Sequence, residues 1–369
     1  MGIVRTEQSR KLELEELRRM LVACAGIQRR KDQEEFKGVR VSSKENKDDI
    51  LEKLVCVTSG VSYLGLAIVN KLLLRGYSVR IIVENEEDIN MLREMETSGE
   101  MRTISNNVSA VMAKLTEVES LAEAFQGCRG VFHTSSFTDP AGLSGYSVSL
   151  ATLIYSSKSM AEIEVKANEN VMNACARTPS VRKCVLTSSL VACLWRDNAQ
   201  NDVSSVINHD CWSDETLCTD KKLWYALGKL RAEKVAWTIA KENGLKLATL
   251  CPGLITGPNF CRRNPTATIA YLKGAQEMYS NGILAIVDVD RLAGAQVCVF
   301  EEMDKNAHGR YLCFDNVIGR DEAENIARET GMPINKICGN GDIEARFELS
   351  NKKLCCLMSR TLRSCYSEC

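Results

Sequence analysis

Tyr225 and Lys229 stand four residues apart in the stretch LWYALGKLRAEKVAW. In a helix this is about one turn, so the phenol and the ammonium share a face. An ammonium beside a phenol favours the phenolate and lowers its pKa, which suits a tyrosine to proton transfer near neutral pH. An exposed lysine beside a packed tyrosine has the same spacing, so the upstream sequence carries the weight. The run KCVLTSS reads as a strand ending in Ser188-Ser189. A serine at the carboxyl end of a strand, close to a Tyr-Lys helical turn, can hold a carbonyl oxygen. Strand-end serines also act as simple caps.

The elements that must position these groups alternate. LVCVT reads as a strand, YLGLAIVNKLLLRG as a helix stopping at Gly76, and VRIIV as a second strand. SLAEAFQG and IEVKANENVMNACAR read as helices, GVFHTSS and LKLATLCPG as strands, and YALGKLRAEKVAWTIAKENG as a long helix. This alternation predicts an α/β fold: a Rossmann-type, doubly wound parallel sheet, with ligand beyond the carboxyl ends of the strands. The first strand runs into TSGVSYLGLAIV, where a dinucleotide fold puts its glycine-rich phosphate turn. Only Gly60 and Gly65 are glycine there, so an ordinary strand-turn-helix remains a competing reading of this motif. Three parts are expected: a charged N-terminal helix and linker over 1–50, a dinucleotide-binding domain over 51–251, and a smaller substrate-binding region and tail over 252–369. The last is less regular, with a helix-like ATIAYLKGAQEMY.

Composition narrows the class. A net charge of -1 gives no support to a nucleic-acid partner. No apolar run reaches membrane-spanning length, and the N-terminus is too charged for a secretory signal. Seventeen cysteines without a CxxC pair, several of them in apolar strands (Cys56, Cys184, Cys251), read as buried reduced thiols of a cytoplasmic protein. Cys211 and Cys218 leave a redox-formed bridge open. The three histidines, His133, His209 and His308, have no metal-site spacing. Residues 1–50 could dock on the domain or bind a protein partner.

From Leu54 to Lys353 the chain resembles the extended short-chain dehydrogenase/reductases, in the plant dihydroflavonol-reductase and cinnamoyl-CoA-reductase group. The likeness is carried by GVFHTSS, VRKCVLTSS, CWSDETLC, LWYALGK, PGLITGP and HGRYLC. It implies an oxidoreductase that reduces a carbonyl or acyl thioester on a small phenolic substrate of the phenylpropanoid or flavonoid kind. Tyr225 would protonate the substrate oxygen, Lys229 would lower the tyrosine pKa and bind the nicotinamide ribose, and Ser189, or its neighbour Ser188, would hold the carbonyl. The cofactor, NADP(H) by resemblance, would lie over Thr58, Ser59, Gly60, Ser62, Tyr63, Leu64 and Gly65. Pro252 would flank it, with the PGLITGP strand end lining the substrate side.

The chain departs from the family pattern in several places. Ser59 and Ser62 stand where the phosphate turn has its first two glycines, and the Ser62 hydroxyl could bond phosphate. The second strand ends Val83-Glu84-Asn85 instead of the usual VRD. Glu84 would repel a 2′-phosphate and suit NAD(H), while Arg80 survives within the strand as a candidate phosphate ligand. Lys114 replaces an aspartate near the adenine, and Asp288 replaces a histidine. Ala267 and Ala270 replace the histidine and lysine used toward coenzyme A. Residues from Ser147, about ten of them, look inserted. These departures sustain an alternative: a nucleotide-binding or regulatory protein of little turnover on a reductase fold.

Overall fold

The computed structural model describes residues 53–102, 107–134, 158–196, 205–339 and 346–366, without the side chains of 158–160 and 361–366. The N-terminal segment 1–50 and the expected insertion at 147–156 lie outside the described residues. The described residues belong to one compact unit.

The chain opens with β1 (Leu54–Val57), α1 (Tyr63–Leu74), β2 (Ser78–Val83), α2 (Glu86–Thr97), β3 (Val108–Met112), α3 (Val118–Ala124) and β4 (Gly130–Thr134). It continues through α4 (Lys158–Arg177), β5 (Lys183–Thr187), α5 (Val191–Leu194), β6 (Val206–Ile207), α6 (Glu215–Asp220), α7 (Trp224–Asn243) and β7 (Lys246–Pro252). Then follow β8 (Leu254–Thr256), α8 (Phe260–Arg263), α9 (Pro265–Tyr271), α10 (Ala275–Ser280), β9 (Ala285–Asp288), α11 (Val289–Glu302) and β10 (Gly309–Cys313). The described chain ends with β11 (Asn316–Val317), α12 (Arg320–Thr330), β12 (Glu348–Leu349) and α13 (Lys352–Tyr366).

Seven strands form one sheet in the order β10-β7-β5-β4-β1-β2-β3. Every pairing in it is parallel. The order reverses between β1 and β4, which makes the crevice at their carboxyl ends the natural ligand site. The strands are apolar on both faces because helices cover both: β4 and β5 are buried throughout. Helices α1 and α11 pack on one face around Ile68, Leu72, Leu292 and Phe300, while α3, α4 and α7 cover the other around Phe125, Met172 and Ala236. Cys56, Cys184 and Cys251 are fully buried free thiols, as expected of apolar strand residues. Cys211 and Cys218 are free as well.

Local chemistry sets the element ends. Ser62 caps α1, its Oγ accepting from the Gly65 N–H at 3.0 Å. Asn85 caps α2 ahead of Glu86, Glu87 and Asp88, which suit the positive end of that helix. Gly244 ends α7 at φ 67°. The stretch ATIAYLKGAQEMY is two helices rather than one, because Gly274 between them sits at φ 90°, where a Cβ would lie 2.8 Å from the Trp195 ring. Beyond Pro252 the chain does two jobs. β10 and α11 complete the main sheet and its cover, whereas β8, β9 and β11 form a separate three-stranded sheet beside α8, α9 and α10.

Candidate active site

Ser189, Tyr225 and Lys229 converge on one cleft at the carboxyl edge of the sheet, together with Thr134, Ser62, Tyr63, Leu64, Pro252 and Tyr271. Ser189 follows the end of β5, and Tyr225 and Lys229 lie on the first turns of α7. The Tyr225 hydroxyl is hydrogen-bonded to Ser189. Ser188 is turned away: its Oγ donates to Glu233 Oε2 at 2.6 Å inside the protein. Of the two strand-end serines, Ser189 is therefore the one beside the phenol.

A fourth group joins them. Glu164 of α4 accepts a hydrogen bond from Lys229 Nζ at 2.8 Å, and both side chains are only 5% exposed. The helices come close enough because residue 228 is glycine; a Cβ there would stand 3.0 Å from the Ala161 Cα. Burial pulls the Lys229 ammonium down, but Glu164 and then Tyr225 outweigh it, and the net shift is upward. Tyr225 is also raised, by burial first; Lys229 opposes that rise and Glu164 adds to it. The expected acidification of the phenol is thus present as a pull from Lys229 that burial and Glu164 override.

His133, at the end of β4, completes the cluster. Its Nδ1 lies 2.9 Å from Thr58 Oγ1, a contact that bridges the crevice between β1 and β4. Burial lowers its pKa to about 4, with Glu164 opposing and Lys229 assisting, so the ring is neutral at pH 7. Its Nε2 and the Thr134 hydroxyl are buried with no partner among the described residues. Such atoms are costly to leave unsatisfied and suit a bound polar ligand.

The neighbouring turn fits a dinucleotide phosphate. It ends at the N-terminus of α1, whose first turn has no acidic side chain. Gly65 is obligatory, since a Cβ there would stand 1.8 Å from the Ser59 carbonyl oxygen. Gly60 packs so tightly on Ile81 that a Cβ would lie 2.6 Å from it. Thr58 and Ser59 are buried supports of the turn, and Ser62, Tyr63 and Leu64 reach the cleft. The Ser62 hydroxyl donates to the Ser59 carbonyl at 2.7 Å, so it is engaged within the turn rather than held out for phosphate.

A family model described as NAD(P)H-binding matches residues 62–250. Cinnamoyl-CoA reductase 1 of Petunia hybrida is 35% identical over 280 residues, covering 74% of this chain and 76% of that protein. Tetraketide alpha-pyrone reductase 1 of Arabidopsis thaliana is 32% identical over 311 residues, covering 81% and 85%. The chain belongs to the cinnamoyl-CoA reductase-like group of extended short-chain dehydrogenase/reductases. Among solved structures, vestitone reductase from alfalfa superposes with a TM-score of 0.57 at 23% identity, over 82% of this chain and 91% of that one. A yeast methylglyoxal/isovaleraldehyde reductase complexed with NADPH gives 0.57 at 19% identity, over 83% and 93%. These two likenesses speak for the fold. As a member of this family the chain is an NAD(P)-dependent oxidoreductase.

Against the family pattern, one expected cofactor residue is elsewhere. Arg80 Nη1 donates to the Ala124 and Gln126 carbonyls, both at 2.7 Å. Those carbonyls end α3, which leads into the start of β4, so Arg80 serves the amino edge of the sheet and not the cofactor edge. Glu84 does lie at the cofactor edge. Burial raises its pKa, with Asp88 adding; a hydrogen bond from the Leu115 N–H and the Lys114 charge oppose. Asp288 caps α11, accepting from the Asp290 and Arg291 N–H groups at 2.9 and 3.3 Å. Ala267 lines the catalytic cleft, and Ala270 is buried behind it.

Glu164, His133 and Glu233 were not singled out from the sequence. Glu164 had a signal: with Ala161, Asn168, Val171 and Cys175 it falls on one face of the helical repeat, so a carboxylate and a carboxamide interrupt an apolar stripe. Lys229 and Glu233 likewise share a buried face of α7.

Proposed function

We propose that this protein reduces a carbonyl group on a small phenolic substrate with NADPH, Tyr225 supplying the proton. The observation that carries the reading is the meeting of Ser189, Tyr225 and Lys229 in a cleft bordered by the phosphate turn. Bound nicotinamide would supply the hydride. Ser189, bonded to the phenol, is placed to hold the carbonyl oxygen as negative charge develops on it. Tyr225, held protonated by its surroundings, then delivers its proton to that oxygen. Lys229 keeps a positive charge beside the resulting phenolate and stabilises it until a proton returns.

A wider cleft of about 620 Å³ adjoins the catalytic one at Thr268 and runs between Gly257–Arg262 and Glu329. It is large enough for a drug-sized molecule and mixes apolar groups with Arg262 and Glu329. This favours an aromatic body with polar substituents. Ala267 and Ala270 argue against a dedicated coenzyme A grip, so the free carbonyl compound is preferred to the thioester. For the cofactor, family precedent favours the 2′-phosphate, and Lys114, whose charge acts on Glu84 and which is paired at the surface with Glu117, is the cation placed to receive it.

The test is titration of the purified protein with NADPH and NADH, followed by nicotinamide fluorescence. Binding of NADPH well below the millimolar range supports the reading. Binding of neither removes it, and binding of NADH alone means that Glu84 governs the choice. Tyr225→Phe should keep cofactor affinity and lose turnover by two orders of magnitude or more, roughly the worth of a positioned general acid.

A further inference from the structure

The proton-transfer unit contains a buried acid that the Ser-Tyr-Lys reading does not use. Glu164 sits on α4, a different helix from Tyr225 and Lys229, and is held in place twice. Lys229 Nζ donates to its Oε1 at 2.8 Å, and Asn168 Nδ2 approaches the same oxygen at 3.4 Å while donating to the Glu164 carbonyl at 2.9 Å. Gly228 permits the close α4–α7 approach that this pairing needs. A carboxylate removed from water in this way requires a paired cation, and the cation it has taken is the lysine that would otherwise act on the phenol alone.

We infer that Glu164 is a positioning residue of the reaction: paired with Lys229, it offsets the ammonium's field and keeps Tyr225 in the protonated, donor form. The inference rests on the reductase reading above. Among the described residues, the charged and titratable groups around Tyr225 are few. On α7 they are Lys229 and, farther off, Glu233; on α4, Glu164; on β4, neutral His133; on α9, Tyr271. Among the described residues, only Lys229 favours the phenolate by charge, and Ser189 favours it by a hydrogen bond. Burial and Glu164 oppose them. In a low-dielectric cluster, a carboxylate at hydrogen-bond range of the ammonium opposes the field that the phenol feels. A protonated phenol is what reduction needs and what oxidation of an alcohol cannot use, so Glu164 biases the site toward reduction.

The test reads tyrosinate absorbance during an alkaline titration of the cofactor-free protein. The signal of Tyr225 is the difference between each protein and its Tyr225→Phe counterpart. In Glu164→Gln, which keeps the shape and removes the charge, Tyr225 should ionise at lower pH, with roughly tenfold more tyrosinate at a given pH, the effect of one charge at close range. Glu164→Asp, which keeps the charge, should titrate near the wild type. An unchanged curve for Glu164→Gln overturns the inference, as does an equal shift in both variants. Should Glu164→Gln fail to fold, Glu164→Thr, which lets water reach the ammonium, is read by the same outcomes. NADPH binding by the same wild-type sample reports separately on the reductase reading. Its failure would sink that reading while the tyrosinate curves still decide what Glu164 does to the phenol.

Discussion

Replacing Glu233 should damage stability far more than any property of its own helix suggests. Its carboxylate is fully buried and accepts from Arg310 Nε at 2.8 Å and Nη2 at 3.2 Å, from Thr249 Oγ1 at 2.6 Å and from Ser188 Oγ at 2.6 Å. The Arg310 guanidinium is 7% exposed, lies 3.5 Å from the Trp212 ring centroid, and also donates to the His209 and Cys211 carbonyls. Glu233→Gln removes the charge and leaves that guanidinium buried against an amide, at a cost of about 3–5 kcal/mol. Arg310→Met strands the carboxylate at a similar cost. The two losses would sum to about 6–10 kcal/mol if independent, comparable with the whole stability of an ordinary domain. They are not independent. In the double variant no charge is left unpaired, and the glutamine amide can still bond Ser188 and Thr249. Its loss should therefore be no greater than that of Arg310→Met, which forfeits the same bonds to the His209 and Cys211 carbonyls and strands a charge besides. Urea unfolding followed by tryptophan fluorescence gives the cycle, compared at equal m-values. If the double variant loses the sum of the singles to within about 0.5 kcal/mol, the two residues do not act as a pair and the reasoning fails.

Two further predictions follow from buried and crowded positions. Burial holds the His133 pKa down to about 4 in the folded protein against the ordinary 6.5, so the unfolded chain binds its proton first; the stability it contributes is complete above pH 6.5 and is lost as pH falls toward 4. Urea midpoints at pH 7.5 and pH 5 should show about 2 kcal/mol of this loss, and His133→Gln should remove that part of the pH dependence. Two glycine replacements should differ in sign. Gly294→Ala, within α11 and with open space around the new methyl, should gain about 0.5–1 kcal/mol. Gly228→Ala should lose about 1 kcal/mol because its methyl must part α7 from Ala161, and equal melting shifts for the two would contradict this.

The parts of the site that lie within short stretches were legible in the sequence. Tyr225 and Lys229 are one helical turn apart, Ser189 ends an apolar run, and the phosphate turn joins consecutive elements; in each case local periodicity fixes the neighbours. The alternation of strands and helices likewise pointed to the parallel sheet, because apolar runs of strand length between helical repeats bury both faces. Glu164, His133 and the Glu233–Arg310 pair are different in kind. Each matters through a partner on another element: Glu164 with Lys229, His133 with Thr58, Glu233 with Arg310. No periodicity records such pairs. What the sequence does record is the anomaly of a charge on a buried helical face, which Glu164, Lys229 and Glu233 all display.

Arg80 shows the converse, a residue whose type suited the cofactor but whose place along the strand did not. β2 ends at Val83, and each strand residue advances about 3.3 Å, so Arg80 lies roughly 10 Å behind the edge where ligands bind. Its side chain leaves β2 toward the end of α3 and satisfies carbonyls that a helix end always exposes. Glu84 immediately follows the strand and so lies at the edge where ligands bind, within the field of Lys114, whose ion pair is with Glu117 at 3.3 Å. At the chemical end Lys229 is likewise paired, with Glu164 at 2.8 Å. In both places the lysine is paired with an acid, Lys114 with Glu117 and Lys229 with Glu164, so neither lysine can be read without the carboxylate beside it.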